Sequence, residues 1–363
     1  MRIAILTQPP RGNYGGIMQS YALQYILKEL RHIPILIEKD FHKNIPLHKL
    51  IMQLPKRLFT KYILHKRKYI FSERAHNIFT TNLRKYTNKF IHQYIDIEIV
   101  NKYSDIDLSR YDTIIVGSDQ VWRAIFNIDQ LEDMFLSFIP NNINIKRISY
   151  AASFGTNEWE FTPKQTTVCT ELLSRFDAVS VREIDGIELC KKYLKRNDAV
   201  CVLDPTLLLN KGTYENLCKE IPTNDENMLY AYILDHIDDI QQELEKIAQK
   251  KNLKLKIVRA DNNCTLSVLE WIAMFRDAKM IITDSFHGTV FSIIFNKEFY
   301  SIANIERGCS RFTSLLSQLN IMHRLYGSIN EISFNDTAID WNSVNKRLSE
   351  LKIYSLNFLT KFI

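Results

Sequence analysis

Apolar residues recur along this chain in two rhythms: short unbroken runs, and longer stretches with an apolar face at helical spacing. Near the start, "RIAIL" reads as a buried strand and "TQPPRGNYGG" as a loop. "IMQSYALQYILKEL", apolar at Ile17, Leu23, Ile26, Leu27 and Leu30, reads as a helix, and "IPILI" as a second strand. Strand-like runs return at "DTIIVGS" (112–118), "RISYAAS" (147–153), "DAVSVR" (177–182) and "AVCVLD" (199–204), with helical stretches such as 163–175 and 184–195 between them. The alternation pauses at "DPTLLL" (204–209). It begins again with "MLYAYIL" (228–234), "KLKIVR", "KMIIT" and "EFYSIA", separated by the helical patterns "DDIQQELEKIAQKK", "TLSVLEWIAMFRDA" and "DSFHGTVFSIIF".

Apolar strands alternating with helices predict parallel sheets covered on both faces. The expected fold is therefore α/β, with two Rossmann-like domains, 1–205 and 206–335, facing across a cleft. The amphipathic stretch "DWNSVNKRLSELKIYSLNFLTKFI", within 336–363, is expected to pack back across both. Ligands of open parallel sheets sit beyond the carboxyl ends of the strands, which places the expected site in that cleft.

Charge changes the picture in one place. The chain of 363 residues carries a net charge of +6, yet 41–95 holds twelve Lys and Arg against a single acid, Glu73. That segment alone is +11, and the remainder sums to −5. Five of the nine histidines (42, 48, 65, 76, 92) also lie there. Stretches such as "KRLFTKYILHKRKYIFSERAHNIF" predict a basic helical insertion, 41–103, in the first domain, suited to an anionic surface or polymer. Phe59, Tyr62, Tyr69, Phe71 and Phe79 could stack on nucleic-acid bases. Their spacing is that of a helix core, and the segment has no recognised nucleic-acid motif, so nucleic acid is not the expected partner. The six cysteines, at 169, 190, 201, 218, 264 and 309, form no C-x-x-C pair and no metal-ligand spacing, which reads as reduced thiols and no bound metal. No apolar run reaches the ~20 residues that span a bilayer, and "MRIAILTQPP" is no secretion signal. A cytoplasmic protein is the expectation.

Chemistry concentrates at strand ends. In "DSFHGTVFSIIF" (284–295), Asp284 or Ser285 can cap a helix, Gly288 can let a ligand approach its free N–H groups, and His287 stands in the first turn. The positive end of a helix favours an anion and a neutral imidazole, which suits a general base. "GNYGG" (12–16) offers Asn13, Gly15 and Gly16 before the first helix. "VGSDQVW" (116–122) offers Asp119 and Gln120 for sugar hydroxyls and Trp122 as a stacking face. Arg182 ends a strand in "SVREIDG" (180–186), where it could equally form a structural pair with Glu183 or Asp185. Arg307 and Arg311 lie one helical turn apart, with guanidinium forks suited to carboxylate or phosphate. Together these describe a cleft for a small, multiply charged anion with one histidine as acid and base.

In this order, "GNYGGIMQSYALQ", "VGSDQVW", "ISYAASFG", "SVRE", "LDPTLLL", "DSFHGTVFSIIF" and "SRFTSLL" resemble the polysaccharide pyruvyl transferase family, from about residue 1 to residue 320. The resemblance implies a GT-B-like pair of Rossmann-like halves. It also implies transfer of the enolpyruvyl unit of phosphoenolpyruvate, a co-substrate rather than a cofactor, onto a sugar, closing a ketal and releasing phosphate during surface-polysaccharide assembly. His287 matches the family's acid/base histidine, Arg182 a donor-binding arginine, and Arg311 a motif arginine. Ser153, in "ISYAASFG", and Ser285 join the substrate-binding candidates. Better-known members carry Arg-Leu-His where this chain has Ser285-Phe286-His287, so one donor-binding charge must come from Arg311 or Arg307. A lipid-linked sugar acceptor would account for the basic insertion through peripheral contact with an anionic membrane surface. Two other readings follow from the same residues: a GT-B-type glycosyltransferase with a nucleotide-sugar donor, and a non-enzymatic polyanion-binding protein.

Overall fold

The computed structural model describes residues 1–10, 12–40, 47–62, 70–128, 130–223, 227–235, 240–259, 265–303, 308–332, 334 and 337–363. Arg307, Cys264 and Tyr69 lie outside them, as does the side chain of Phe79.

The first domain is a parallel sheet of seven strands: β1 (Arg2–Leu6), β2 (Ile33–Lys39), β3 (Ile97–Val100), β4 (Thr113–Val116), β5 (Lys146–Ala152), β6 (Ala178–Val181) and β7 (Val200–Cys201). They lie in the order β3-β2-β1-β4-β5-β6-β7, so the direction of winding reverses between β1 and β4, where Ile5 pairs with Leu36 on one side and Ile115 on the other. The second sheet holds β8 (Met228–Ile233), β9 (Lys254–Arg259), β10 (Met280–Thr283), β11 (Glu298–Ile302) and β12 (Leu325–Tyr326), in the order β12-β11-β10-β8-β9. Its reversal falls between β8 and β10. Both are Rossmann-like windings, and each opens a crevice at the carboxyl ends of the strands where its order reverses.

Helices α1 (Tyr14–Glu29), α2 (Leu47–Tyr62), α3 (Ser72–Arg84), α4 (Asn88–Tyr94), α5 (Pro163–Leu173) and α6 (Ile184–Leu194) belong to the first half. The second has α7 (Lys211–Leu217), α8 (Ile240–Lys251), α9 (Val268–Asp277), α10 (Phe286–Ile294) and α11 (Ser310–Gln318), and α12 (Trp341–Phe362) closes the chain. Local signals set the boundaries: capping boxes Thr162/Gln165 and Ser267/Glu270 start α5 and α9. One expectation needs correction. The tail of the predicted helical insertion, 97–100, is β3, the sheet's edge strand; at four residues it is too short to announce a period of two.

The two halves are welded by one continuous apolar core, which joins Ile3, Ile17 and Tyr14 of the first to Tyr230, Trp271 and Phe291 of the second. α12 crosses between them: Ser355 Oγ accepts from Leu203 N at 3.0 Å, and Lys352 Nζ donates to the Leu209 carbonyl at 3.0 Å. Gly308, at φ +85°, brings the loop before α11 so close to the Gly155 carbonyl that a Cβ would lie 1.7 Å from its oxygen. Among the described residues no helix is long and apolar enough to cross a membrane. The five described cysteines are unbridged, and burial pushes the thiols of Cys169 and Cys201 up to about 12.

Candidate active site

Both reversal points open into one cavity of about 660 Å³, whose walls include Asn13, Asp119, Gln120, Arg123, His287 and Arg311. α10 delivers the histidine. Every residue of this helix is buried, so its apolar wrap is core, and its amino end emerges at the cavity. Ser285 is the cap, its Oγ accepting from Gly288 N at 3.2 Å. Asp284 instead pins the end of β8, accepting from Leu234 N at 2.7 Å and Asp235 N at 2.8 Å. Gly288 does not face a ligand: a Cβ there would strike Thr283 Oγ1 at 2.3 Å, so its smallness serves the packing of α10 on β10.

His287 is held between the halves. Its Nε2 lies 3.6 Å from Asp204 Oδ2, beyond hydrogen-bond reach but within the field of a buried carboxylate. The ring's Nδ1 edge lies over α1, where a Cβ on Gly15 would sit 2.1 Å from Nδ1. Asn13 caps α1 by accepting from Gly15 N at 3.1 Å. Gly16 is less constrained, since a Cβ there would meet Asp119 Oδ2 and Asn13 Nδ2 at an ordinary 3.6 Å.

Asp204 was not among the residues singled out as candidates, although it opens the motif "LDPTLLL". It is fully enclosed behind β7, and Oδ1 accepts from Thr206 N at 3.0 Å and Thr206 Oγ1 at 2.6 Å. Burial would raise its pKa, but the His287 and Arg182 side chains and the Thr206 hydroxyl outweigh that and hold the carboxyl far below the usual carboxylate range. Its Asx turn was legible in "DPT"; its position behind the histidine comes only from the assembled halves.

Arg182 corrects the expectation of a guanidinium gripping the donor. It is buried, donating from Nη1 to Asp204 Oδ2 at 2.8 Å and from Nη2 to Asp119 Oδ1 at 3.3 Å. Burial alone would lower its pKa, but the two carboxylates more than compensate and hold it above the ordinary value. Here it positions Asp119 and Asp204 and does not line the cavity.

Among the described residues, the cavity's guanidiniums are Arg311 and Arg123. Arg311, from α11, lies 5.6 Å from the centre of the Phe286 ring, and Arg182 lies 4.8 Å from the same ring. Burial and the like charge of Arg182 bring Arg311 down to about 10, which leaves it cationic at neutral pH. Ser285, at the position where the resemblance leads one to expect an arginine, lines the same cavity as Arg311. Arg123, also missed by the sequence reading, donates to Gln120 Oε1 at 3.2 Å and pairs with Glu160 at 3.4 Å. It follows "VGSDQVW" directly, with no pattern to single it out.

Two further candidates do not reach the cavity. Trp122 is fully buried, stacked on Phe135 at 4.9 Å, with its Nε1 donating to the Met134 carbonyl at 3.0 Å, so it is a core residue and offers no face to a sugar. Ser153 is also buried, its Oγ accepting from Gly155 N at 3.0 Å. The neighbouring Glu183 accepts from Phe154 N at 2.7 Å and Gly155 N at 3.2 Å, and burial raises its pKa against the opposing pull of Arg182 and Arg311. Glu183 therefore fixes a loop and makes no pair with Arg182 through hydrogen bonds. Among the described residues no cluster of His, Cys, Asp and Glu could hold a metal ion.

A cavity at both reversal points, walled among the described residues by an imidazole, two guanidiniums and a helix amino end, lies in a two-domain α/β protein of Rossmann-like halves. The chain belongs to the polysaccharide pyruvyl transferase family, whose profile matches residues 13–306. No curated protein sequence matches it. Among solved structures it is similar to Arabidopsis thaliana UGT89C1 complexed with UDP-L-rhamnose, at 10% identity and TM-score 0.49 over 99% of this chain and 97% of that one. It is also similar to a Rickettsia africae glycosyltransferase, at 10% identity and TM-score 0.46 over 98% and 93%. A third is the Rickettsia bellii UDP-N-acetylglucosamine 2-epimerase, at 10% identity and TM-score 0.42 over 100% and 98%.

Proposed function

We propose that this pyruvyl transferase uses phosphoenolpyruvate as donor and a sugar with two neighbouring hydroxyls as acceptor. The observation that supports this reading most is the setting of His287: its ring lies between Gly15 of α1 and the buried Asp204, and it lines the same cavity as Arg311 and Ser285 at the amino end of α10. Protonated His287 gives its proton to the donor's methylene carbon, which becomes a methyl group and leaves the second carbon electrophilic. A sugar hydroxyl attacks that carbon and returns its proton to His287. The bond to the phosphate oxygen breaks, the second hydroxyl attacks, and its proton leaves with the phosphate, so that one phosphoenolpyruvate and one diol yield one ketal and one phosphate. Such proton transfer by a placed side chain contributes roughly 10²–10⁴-fold. Arg311, Arg123 and the helix end provide charge for carboxylate and phosphate, where fixed donors count most.

The test is acceptor-dependent release of inorganic phosphate from phosphoenolpyruvate, with a panel of p-nitrophenyl hexopyranosides as acceptors. Phosphate released in step with a pyruvylated sugar supports the reading. Inertness toward phosphoenolpyruvate, with nucleoside diphosphate released from a nucleotide sugar, overturns it in favour of glycosyl transfer.

A further inference from the structure

The basic insertion carries a helix whose apolar face points outward. At about 100° per residue, Ile51, Met52, Pro55, Leu58, Phe59 and Tyr62 of α2 fall within an arc of ~120°. All six are exposed, Met52 at 78%, Ile51 at 62% and Tyr62 at 60%. Toward the protein the helix presents Arg57, 3% exposed, which donates to both carboxylate oxygens of Glu73 on α3, at 2.7 and 2.9 Å, and to Gln53 on α2 itself, with Leu54 half-buried beside it. A surface helix usually buries its apolar stripe, and here a broad one is left exposed. Lys49 and Lys56 stand along one edge of the apolar arc and Lys61 along the other, and Arg74, Lys85 and Lys89 are exposed elsewhere on the insertion. The only acid of 41–95, Glu73, is occupied by Arg57, and Arg84 is taken by the buried Glu38.

We propose that α2 is a docking helix for an anionic lipid bilayer, lying in the plane of the surface with these six side chains among the acyl chains and the lysines at the headgroups. Charge complementarity selects that occupant. A second copy would set lysine edge against lysine edge across a two-fold contact, and a nucleic acid would leave the aliphatic side chains without partners. A lipid surface satisfies both features of the helix at once. The inference does not rest on the catalytic reading, since its test reads lipid binding alone.

The experiment is co-sedimentation with vesicles of phosphatidylcholine, and of phosphatidylcholine mixed with phosphatidylglycerol. The full-length protein is expected to bind the anionic vesicles at least about tenfold more tightly than the neutral ones, and to be released at high salt. The double variant Ile51→Glu/Phe59→Glu is expected to lose binding to both, while Lys49→Glu/Lys56→Glu loses the preference for anionic lipid. The melting temperature is expected to stay at the wild-type value in both variants, so that lost binding is not lost folding. Absence of wild-type binding, equal binding to the two vesicle types, or full retention of the Ile51→Glu/Phe59→Glu protein would each overturn the proposal. So would a concentration-dependent dimer that this variant abolishes, which would assign the face to a second copy.

Discussion

Gly15→Ala isolates the placement of the imidazole from everything else in the site. The added methyl carbon would lie 2.1 Å from His287 Nδ1 and 2.3 Å from Cγ, far inside contact distance, so the ring must retreat by roughly 1 Å. It has little room to do so: Phe286 meets it edge-on at 5.4 Å and Asp204 lies 3.6 Å behind Nε2. A displacement of that size at a reacting group costs on the order of 10²-fold in rate. The helix itself should not suffer, because alanine is favoured over glycine within a helix by up to ~1 kcal/mol. The expected result is therefore a loss of about a hundredfold in kcat for acceptor-dependent phosphate release, accompanied by about 1–3 kcal/mol of destabilisation from overpacking that leaves the protein folded at the assay temperature. Gly16→Ala is the matched control: its methyl carbon would meet neighbours at 3.6 Å, and activity within a few-fold of wild type is expected. If Gly15→Ala retained full activity, or if both variants lost it equally, the imidazole's position would not be what sets the rate.

Three further outcomes follow from the buried charges. Arg182→Ala leaves Asp204 and Asp119 without their shared partner and should destabilise the protein by about 3–5 kcal/mol in chemical denaturation, with a larger effect on folding than on donor KM in the folded fraction. Glu183→Gln should become increasingly stabilising as pH rises: burial raises the Glu183 pKa, so its contribution is complete below the unfolded value and is lost as pH climbs through the folded one. A denaturation series across that range that shows a constant difference from wild type would contradict this. Asp204→Asn should act with the opposite sign, because a carboxyl held below its unfolded pKa adds stability that is present above that value and lost as pH falls through the folded one. The gap between variant and wild type should narrow in acid.

Much of the fold could be read from the chain because parallel strands buried on both faces, such as "RIAIL" and "KMIIT", are unbroken apolar runs bounded by turn residues. β3, β7 and β12 were hidden or blurred, being short edge strands of two to four residues with half-exposed faces. His287 could be picked out because a polar residue in an otherwise apolar helix start has few purposes. What the sequence could not reveal were facts of assembly. Arg182 looks available at a strand end until Asp119 and Asp204 close on it from two other strand ends. Trp122 looks like a stacking face until Phe135 and Phe154 surround it. Asp204 and Arg123 become notable only once His287 and Arg311 arrive from the other half of the chain. Gly15 reads as a tight turn, yet the contact that excludes a side chain there comes from a residue far along the sequence.

The proposed chemistry is tested most directly by running the reaction in heavy water and weighing the pyruvylated sugar. Protonation of the donor's methylene carbon by His287 predicts a product methyl group carrying a single deuterium from solvent, and no such product from His287→Ala protein that is otherwise folded. A product methyl group free of solvent deuterium, or an undiminished yield from the His287→Ala variant, would contradict it.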